Sequence, residues 1–486
     1  MHDDTLVFPV EAKKKKEKEE KDVKTVLLII SSSQDFTTWT LSKGLSDDGC
    51  SDPFVVEWEK DKLIMMTACD DGRRRVYESG DKGESWTEAL GTLSRVWGSK
   101  KGGIEKAVRS GFITAKIDNR DVMLVTLPVY SKKEKNGNNN GKSVLHLWLT
   151  DNTHIVDIGP VSDDEDAAAS SLLYSSGDNN EEELIALYEK KKDGGKPSPG
   201  MVSVRLTEQL QRVKEVLATW KEVDERVSKL CTSLNVEKDT PTGTACSAAI
   251  PTDGLVGFLS GKFSDGTWKD EYLGVNATVK KDDGVEKKEN DVTFKGRGAW
   301  AEWPVGKQGE NQLYHFANYN FTLVATVSTD KVPEEVTPIS LMGVKTNDSA
   351  GKTVFLGLSY NNNEKKWMLL CDGRENKGLS NPWQPGKKHQ VAIVLQNGTQ
   401  GTAYVDGQPV GDAPCELGST ESQEISHFFI GGEERSAGCA GRQEDVSVTV
   451  TNVLLCNRPL SAADIGALNP NKAPIPPEVP GIVQGA

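Results

Sequence analysis

One eight-residue segment restricts the fold of this chain more than any other feature. The segment Ser79-Gly-Asp81-Lys-Gly83-Glu-Ser85-Trp86 matches completely the Asp-box pattern Ser-x-Asp-x-Gly-x-Ser/Thr-Trp. The pattern forms a β-hairpin, because the Asp and Ser side chains hydrogen-bond the turn backbone, Gly supplies a positive φ and Trp anchors the hairpin. A degenerate copy of the motif runs from Ser32 to Trp39, with Gln34 and Phe36 at the Asp and Gly positions. Two copies about one blade apart predict a β-propeller, and they indicate architecture rather than activity.

The strand pattern agrees with these hairpins. The chain contains 46 Gly, 21 Pro and 11 Trp in 486 residues, which suits a turn-rich β protein. Apolar or alternating runs recur before residue 207, at 26–30, 54–58, 63–67, 111–117, 122–130, 144–150 and 183–188. The pattern predicts roughly eleven strands, or about three four-stranded blades, whereas closed propellers have about four to eight. We therefore expect a partial propeller over residues 1–204, with its first blades missing from this sequence.

The spacing of the apolar residues changes after the predicted propeller strands. Apolar residues recur at three- and four-residue steps over a charged opposite face. They are Leu206, Leu210, Val213, Leu217, Trp220, Val223, Val227 and Leu230. The pattern predicts one linking amphipathic helix over 205–232, which we interpret as the spacer on which two domains dock.

The C-terminal half returns to strands. After a connector predicted over 233–297, strand runs at 321–328, 354–360, 390–396 and 425–430 indicate a jelly-roll β-sandwich over 298–468. Within it, the segment 402–410 should form a hairpin that turns at Asp406-Gly407. The Pro-rich tail 469–486 should be extended and disordered. The predicted fold class is all-β.

Composition excludes several classes of function. The net charge of −14 repels phosphate backbones, so we expect no nucleic-acid partner. The run from Lys13 to Asp22 includes Glu17, Glu19 and Glu20, so we interpret it as a solvated loop. We expect no transmembrane segment, because no stretch of about 20 apolar residues occurs. Residues 1–10 also lack the pattern of an export signal, and the C-terminal end lacks a lipid-anchor signal.

The eight cysteines do not form a metal-binding pattern. The sequence has no Cys-x-x-Cys pair and no His at ligand spacing, so we expect neither a metal nor a cofactor. Cys231 and Cys246 flank a loop rich in Pro, Gly and Thr, and a disulfide that closes this loop is the hypothesis, with two free thiols as the alternative.

Four N-glycosylation sequons fall in the C-terminal half, and their clustering favours a secreted ancestry. Their asparagines are Asn276, Asn320, Asn347 and Asn397.

Several longer segments resemble one family. The segments 49–53, 72–79, 91–98 and 147–152 are similar, in order, to propeller segments of the trans-sialidase superfamily of trypanosomatid surface proteins. The segment 448–458 resembles the superfamily signature Val-Thr-Val-x-Asn-Val-x-Leu-Tyr-Asn-Arg, with Cys456 in the Tyr position. Its matching residues are Val448, Val450, Asn452, Val453, Leu455, Asn457 and Arg458. The resemblance covers Thr5 to about Leu468 and implies a sialidase propeller followed by a concanavalin A-like, laminin G-like sandwich.

The resemblance also indicates where catalytic residues should lie. A sialidase clamps the substrate carboxylate with three arginines, and it uses a Tyr nucleophile with a carboxylate partner and an Asp acid/base. The family's first arginine and its acid/base Asp come from blades that this sequence lacks. Ala68 stands at the second arginine position, and Lys142 is the basic residue nearest the third. Lysine cannot reproduce a bidentate guanidinium fork.

The nucleophile position is Ala169. Glu189 matches the acidic partner of the missing Tyr, and Asp52 stands where the family has an activating Glu, so we interpret both as structural remnants. Tyr174 lies five positions after Ala169 on the same predicted strand, so by alternation it should face the opposite side of the strand from Ala169.

Three functions are compatible with these observations. The first is a catalytically inactive surface glycoprotein, secreted or at the cell surface, whose sandwich and signature strand bind host cell-surface glycoproteins, matrix or sialoglycans. The signature could equally be a buried structural strand, because its residues alternate. The alternative is an active exo-alpha-sialidase or trans-sialidase, a glycosidase acting on terminal sialic acids. A third possibility is a partial copy that forms no stable protein, because an incomplete propeller leaves an unpaired strand edge.

Overall fold

The computed structural model describes most of the chain. The described residues are 5–14, 23–31, 38–98, 110–130, 143–162, 167–177, 181–191, 197–228, 251–280, 284–288, 291–295, 299–306, 311–330, 338–346, 354–418, 424–432 and 447–468.

The N-terminal half consists of four successive antiparallel sheets, which we call blades 1 to 4. Blade 1 contains β1 (Leu6–Lys14), β2 (Val23–Ser31) and β3 (Trp39–Leu41). Blade 2 contains β4 (Cys50–Glu59), β5 (Lys62–Cys69), β6 (Arg74–Ser79) and β7 (Thr87–Glu88). Blade 3 contains β8 (Phe112–Ile117), β9 (Arg120–Tyr130), β10 (Ser143–Thr150) and β11 (Ile155–Pro160). Blade 4 contains β12 (Ala167–Ser176), β13 (Glu182–Lys191) and β14 (Pro197–Arg205).

The described propeller therefore has four blades, and the prediction of about three was wrong. The four blades contain fourteen strands, against roughly eleven predicted, and one strand outside the predicted runs is β1, which contains Pro9 and ends with Lys13 and Lys14. It lies at the edge of its sheet, where Pro and Lys are tolerated because one row of backbone groups is unpaired. Lys13 and Lys14 thus belong to a strand and not to the predicted loop, and 15–22 lie outside the described residues.

Consecutive blades pack face to face through apolar side chains. Blade 2 contacts blade 1 with one face and blade 3 with the other, and blade 3 in turn covers one face of blade 4. Alternation along the strands of blade 2 gives it these two apolar faces. The face toward blade 1 carries Leu63, Met65 and Tyr77, and the face toward blade 3 carries Ile64, Met66 and Val76.

The linking helix, α1, spans Thr207–Ser228 and confirms the predicted change of period within the described residues. Its buried side lies in one apolar cluster with blades 3 and 4 and with the C-terminal domain. Trp220 is fully buried there, and its indole N–H donates to the backbone oxygen of Tyr272 at 2.9 Å. The helix therefore joins the two domains as the spacer that the sequence predicted. None of the helices among the described residues is long and apolar enough to cross a membrane.

The C-terminal domain is a sandwich whose strands form a single sheet closed on itself in the manner of a barrel. Its first strands are β15 (Leu255–Ser264), β16 (Thr267–Asp270), β17 (Ala277–Lys280), β18 (Val285–Lys287), β19 (Asp291–Lys295) and β20 (Trp300–Pro304). A 3-10 helix (His315–Asn318) precedes β21 (Phe321–Ser328), β22 (Ile339–Thr346), β23 (Val354–Asn361), β24 (Lys366–Cys371), β25 (Arg374–Ser380) and β26 (His389–Gln396). The last elements are β27 (Gln400–Val405), β28 (Gln408–Pro409), β29 (Cys415–Glu416), β30 (Ile425–Ile430), β31 (Ser447–Cys456) and α2 (Ala462–Ala467).

The sandwich begins earlier than the sequence predicted. Strands β15 to β19 lie inside the predicted connector 233–297, and β15 and β19 both pair with β31. The predicted boundary between the connector and the sandwich was therefore wrong. The strands in this region alternate with charged residues, and this pattern resembles that of a loop. The predicted hairpin is present: β27 pairs with β28, and Asp406 and Gly407 in the turn both have positive φ. The predicted tail 469–486 lies outside the described residues.

Candidate functional site

Two of the predicted site positions, Asp52 and Ala68, lie together in blade 2. Ser51 of β4 pairs directly with Ala68 of β5, next to a disulfide between Cys50 and Cys69. Ala68, at the position predicted for the second clamp arginine, is buried and offers only a methyl group. Asp52 follows in an irregular part of β4, with φ of 48°. The site therefore retains a carboxylate here but no cation at the Ala68 position.

Asp52 has polar contacts with its neighbour Ser51 and with Glu11 of blade 1. Its carboxylate accepts a hydrogen bond from the Ser51 hydroxyl at 3.3 Å, and its backbone N–H donates to the Glu11 carboxylate at 2.9 Å. Both partners help to fix an unusual backbone conformation.

The predicted nucleophile position, Ala169, and its predicted acidic partner, Glu189, lie in blade 4. Ser170 of β12 pairs with Tyr188 of β13, so Ala169 and Glu189 occupy neighbouring places on these strands. The Ser170 hydroxyl contacts the Thr126 hydroxyl of blade 3 at 2.9 Å, which fixes this part of β12. Ala169 is half-buried and Glu189 is exposed. A carboxylate therefore lies next to a position that has no hydroxyl.

No tyrosine among the described residues donates a hydrogen bond to Glu189. Tyr174 donates its hydroxyl to Glu182 at 2.9 Å and lies on the side of β12 that packs toward blade 3, as alternation predicts. Burial, together with that hydrogen bond, raises the pKa of Tyr174 to about 12. A phenol in this state is a poor nucleophile near neutral pH.

Arg73 and Arg75, two arginines close to Ala68 in the chain, have other partners. Arg73 is buried and pairs with Glu424 of the sandwich at 3.3 Å, and it also contacts His315. Arg75 pairs with Asp71 at 3.2 Å and with Asp47. These guanidinium groups stabilise the blade and its contact with the sandwich. Lys142, the basic residue nearest the third clamp position, lies outside the described residues.

The Asp box has the hydrogen bonds that its sequence predicts. Asp81 accepts from the backbone N–H of Ser85 at 2.9 Å and from the Ser85 hydroxyl at 2.5 Å. The backbone N–H of Gly83 donates to the Ser79 hydroxyl at 2.8 Å, and Gly83 has φ of 91°. Trp86 packs against the apolar cluster between blades 1 and 2. In the degenerate copy, residues 32–37 lie outside the described residues.

The signature segment forms the central strand β31. It pairs with β15, β19 and β21, and its apolar side chains are buried, namely Val448, Val450, Val453 and Leu455. Asn452 has φ of 49° at an irregularity of the strand. Arg458 donates from its Nε to the backbone oxygen of Asp253 at 3.0 Å, next to Asn457. The buried-strand interpretation therefore applies to the apolar residues of the signature, which a partner cannot reach.

The structure contains two disulfides that the sequence analysis did not predict. The described disulfides are Cys50–Cys69 and Cys371–Cys415, whereas Cys231 and Cys246 lie outside the described residues. Cys50 and Cys69 flank the predicted strand runs 54–58 and 63–67, which form an antiparallel hairpin in the structure. Because an antiparallel hairpin brings its ends together, this spacing was a usable signal.

The sequons differ in exposure. Asn276 and Asn397 are exposed, Asn320 is half-buried, and Asn347 lies outside the described residues. The Asn320 side chain accepts from the backbone N–H of Asn397 at 2.9 Å, so these two sequons are adjacent.

Comparison with known proteins identifies this architecture. Residues 1–189 match the BNR repeat-like domain, and residues 251–463 match the trans-sialidase C-terminal domain. A propeller with an Asp box, joined by a helix to such a sandwich, defines a sialidase-like protein. The chain belongs to the trans-sialidase superfamily of trypanosomes.

Several relatives support this assignment. Sialidase 85-1.1 of Trypanosoma cruzi is 35% identical over 99% of this chain and 59% of its own length. Another Trypanosoma cruzi protein, named Sialidase, is 34% identical over 93% of this chain and 36% of its own length. Trypanosoma rangeli sialidase in complex with 2,3-difluorosialic acid, a covalent intermediate, is 37% identical and has a TM-score of 0.77, covering 96% of this chain and 69% of that one. The chain thus spans little more than half the length of the first of these relatives.

Proposed function

We propose that this protein is a catalytically inactive member of its family that binds host glycoproteins or sialoglycans at the cell surface without cleaving them. The position of Ala169 beside Glu189 carries the proposal. A covalent glycosyl intermediate needs an attacking oxygen, and a methyl group supplies none.

The substrate clamp gives further support. An arginine holds a carboxylate with two parallel hydrogen bonds, and Ala68 removes one such fork. Arg73 and Arg75 are engaged with Glu424, Asp47 and Asp71. A sialic acid would therefore be held more weakly than in an enzyme with the complete clamp.

Hydrolysis of a fluorogenic sialoside tests the enzymatic half of the proposal. Purified protein should show no turnover above buffer, with Trypanosoma rangeli sialidase as the positive control. Turnover that disappears in Glu189→Ala would overturn the proposal, because it would show that the remnant carboxylate still acts in catalysis.

Binding of the whole chain to host cells tests the adhesive half. We place the binding surface on exposed loops and edges of the sandwich, because the apolar residues of the signature strand are buried. The protein should bind untreated cells, and loss of binding after enzymatic removal of sialic acid would identify the ligand as a sialoglycan. Unchanged binding would indicate a protein or matrix ligand, and absence of binding to both cell preparations would refute adhesion.

A further inference from the structure

Three charged or titratable side chains meet where blade 2 contacts the sandwich. Arg73, in the turn between β5 and β6, is 1% exposed, and His315, in the 3-10 helix of the sandwich, is 2% exposed. Glu424, directly before β30, is 19% exposed. The Arg73 guanidinium contacts the Glu424 carboxylate at 3.3 and 3.5 Å and Nδ1 of His315 at 3.3 Å. We call Arg73, His315 and Glu424 the interdomain cluster.

The hydrogen bonds of the interdomain cluster require a neutral His315. A guanidinium has donors only, so Nδ1 of His315 accepts from Arg73 and carries no proton. The side-chain nitrogen of Asn318, another donor, lies 3.4 Å from the same atom. A neutral imidazole with a free lone pair on Nδ1 carries its proton on Nε2. The cluster as observed therefore contains one cation, Arg73, and one carboxylate, Glu424.

A proton on Nδ1 of His315 would oppose these contacts. It would face the Arg73 guanidinium, and the cluster would hold two positive charges against the single carboxylate of Glu424. The amide oxygen of Gln312 also lies 3.3 Å from Nδ1, but it is neutral and cannot balance the added charge. The ring of Tyr319, which packs edge-on against His315 at 5.7 Å between centroids, is likewise neutral. Because the cluster is buried, an unbalanced charge there is costly.

The carboxylates of blade 2 near the interdomain cluster are already paired with other arginines. Arg95, which interacts electrostatically with Tyr319, is paired with Glu88 at 2.7 Å. Asp71, in the same turn as the cluster arginine, is paired with Arg75 at 3.2 Å. Neither carboxylate is therefore available to compensate a second cation in the cluster.

Two backbone N–H groups beside the cluster also join the domains. The N–H of Gln312 donates to the backbone oxygen of Val96 at 2.8 Å. The N–H of Gly98, in the segment after β7, donates to the side chain of Asn311 at 3.1 Å. Both hydrogen bonds run between blade 2 and the sandwich, so protection of these amides reports whether the two domains are docked.

We propose that the interdomain cluster is a pH-sensitive latch, which holds blade 2 to the sandwich while His315 is neutral and releases this contact when His315 takes up a proton. Histidine ordinarily titrates between about pH 5 and pH 8, whereas Arg73 and Glu424 keep their charges over most of this interval. The closed latch excludes a proton that the open form accepts. Docking is therefore strongest at the upper end of this interval and weakens as the pH falls through it.

Hydrogen–deuterium exchange of the whole chain tests the latch. His315→Asn is the key variant, because Asn places an oxygen acceptor near the position of Nδ1 and stays neutral at every pH. At about pH 5.5, amides in 93–98 and 311–318 should exchange about tenfold faster in wild type than in this variant. At about pH 7.5 the two proteins should exchange at equal rates. Comparison at one pH cancels the intrinsic effect of pH on exchange.

Two further variants separate the latch from general effects of acid. His146→Asn is the matched control, because Nδ1 of His146 contacts Asp157 at 2.9 Å within blade 3, and it should respond to pH as wild type does. Arg73→Gln should lose the pH response, since a protonated His315 then meets no guanidinium. Near-ultraviolet circular dichroism shows that each variant is folded. Wild-type exchange that matches His315→Asn at both pH values, or a wild-type response that persists in Arg73→Gln, would overturn the proposal.

Discussion

Ala169 and Glu189 lie on adjacent strands of blade 4, next to the directly paired residues Ser170 and Tyr188. In the proposed alignment, Glu189 is the acidic residue of the catalytic pair, and Ala169 places a methyl group at the position of its nucleophilic partner. Effects of residues that act as a unit are strongly non-additive, so loss of one member removes most of the catalytic effect of the others. Retention of Glu189 therefore does not imply retained activity.

The Asp box should stabilise the fold measurably. Asp81→Ala removes acceptors for both the backbone and the hydroxyl of Ser85, and hydrogen bonds to a charged group contribute about 1–3 kcal/mol. Urea unfolding should show a loss in this range. The same hydrogen bonds lower the pKa of Asp81, so this stabilisation is present above its ordinary pKa and is lost as the pH falls below it.

Glu84→Ala is the matched control for Asp81, because Glu84 lies in the same hairpin and forms only an exposed ion pair with Lys43. It should change stability by less than about 0.5 kcal/mol. Equal effects of the two substitutions would contradict the role given to Asp81.

Asp270 should make stability depend on pH. Its carboxylate is buried, and burial raises its pKa to about 6 although the backbone N–H groups of Phe258, Tyr272 and Gly274 act in the opposite direction. Because the folded pKa lies above the ordinary value of 3.8, the neutral form stabilises the fold at low pH, and this stability is lost as the pH rises through about 6. The shift corresponds to about 3 kcal/mol.

Urea unfolding of Asp270→Asn at pH 4 and pH 7 measures this effect. The stability of the variant relative to wild type should rise between the two pH values, because Asn remains neutral. Asp265→Asn, in an exposed turn nearby, should not change the pH dependence. An unchanged pH dependence in Asp270→Asn would refute this prediction.

Trp220 should be essential for docking the two domains. It is fully buried on α1 and hydrogen-bonded to the backbone of Tyr272, so Trp220→Ala should cost about 3–5 kcal/mol in the free energy of unfolding. Lys221→Ala alters the exposed neighbour and should cost less than about 0.5 kcal/mol. Similar unfolding midpoints for both variants would contradict a docking role for the helix.

The sequence predicted those elements whose signal is local. The Asp box, helix α1 and the turn at Asp406-Gly407 follow from side-chain chemistry and periodicity within a few residues, and the structure confirms them. The edge strand β1 was missed because Pro9 and its terminal lysines resemble a loop. Its pairing depends on β2, which no local pattern of β1 reveals.

The candidate site was only partly predictable for a similar reason. The sequence shows directly that Ala68 has no guanidinium and Ala169 no hydroxyl, and their assignment to the clamp and nucleophile positions stays a prediction. The partners of Arg73 and Arg75 do not follow from the sequence, since Glu424 lies in another domain and Asp47 on another loop. The two described disulfides also depend on how strands are brought together.

Covalent trapping tests the central claim most directly. Trypanosoma rangeli sialidase has been observed as a covalent intermediate with 2,3-difluorosialic acid, so that enzyme is the positive control for intact-mass spectrometry after incubation with the compound. Because Ala169 offers no attacking oxygen, this protein should keep its unmodified mass under conditions that label the control. A stoichiometric adduct on any tyrosine of this chain would contradict the account.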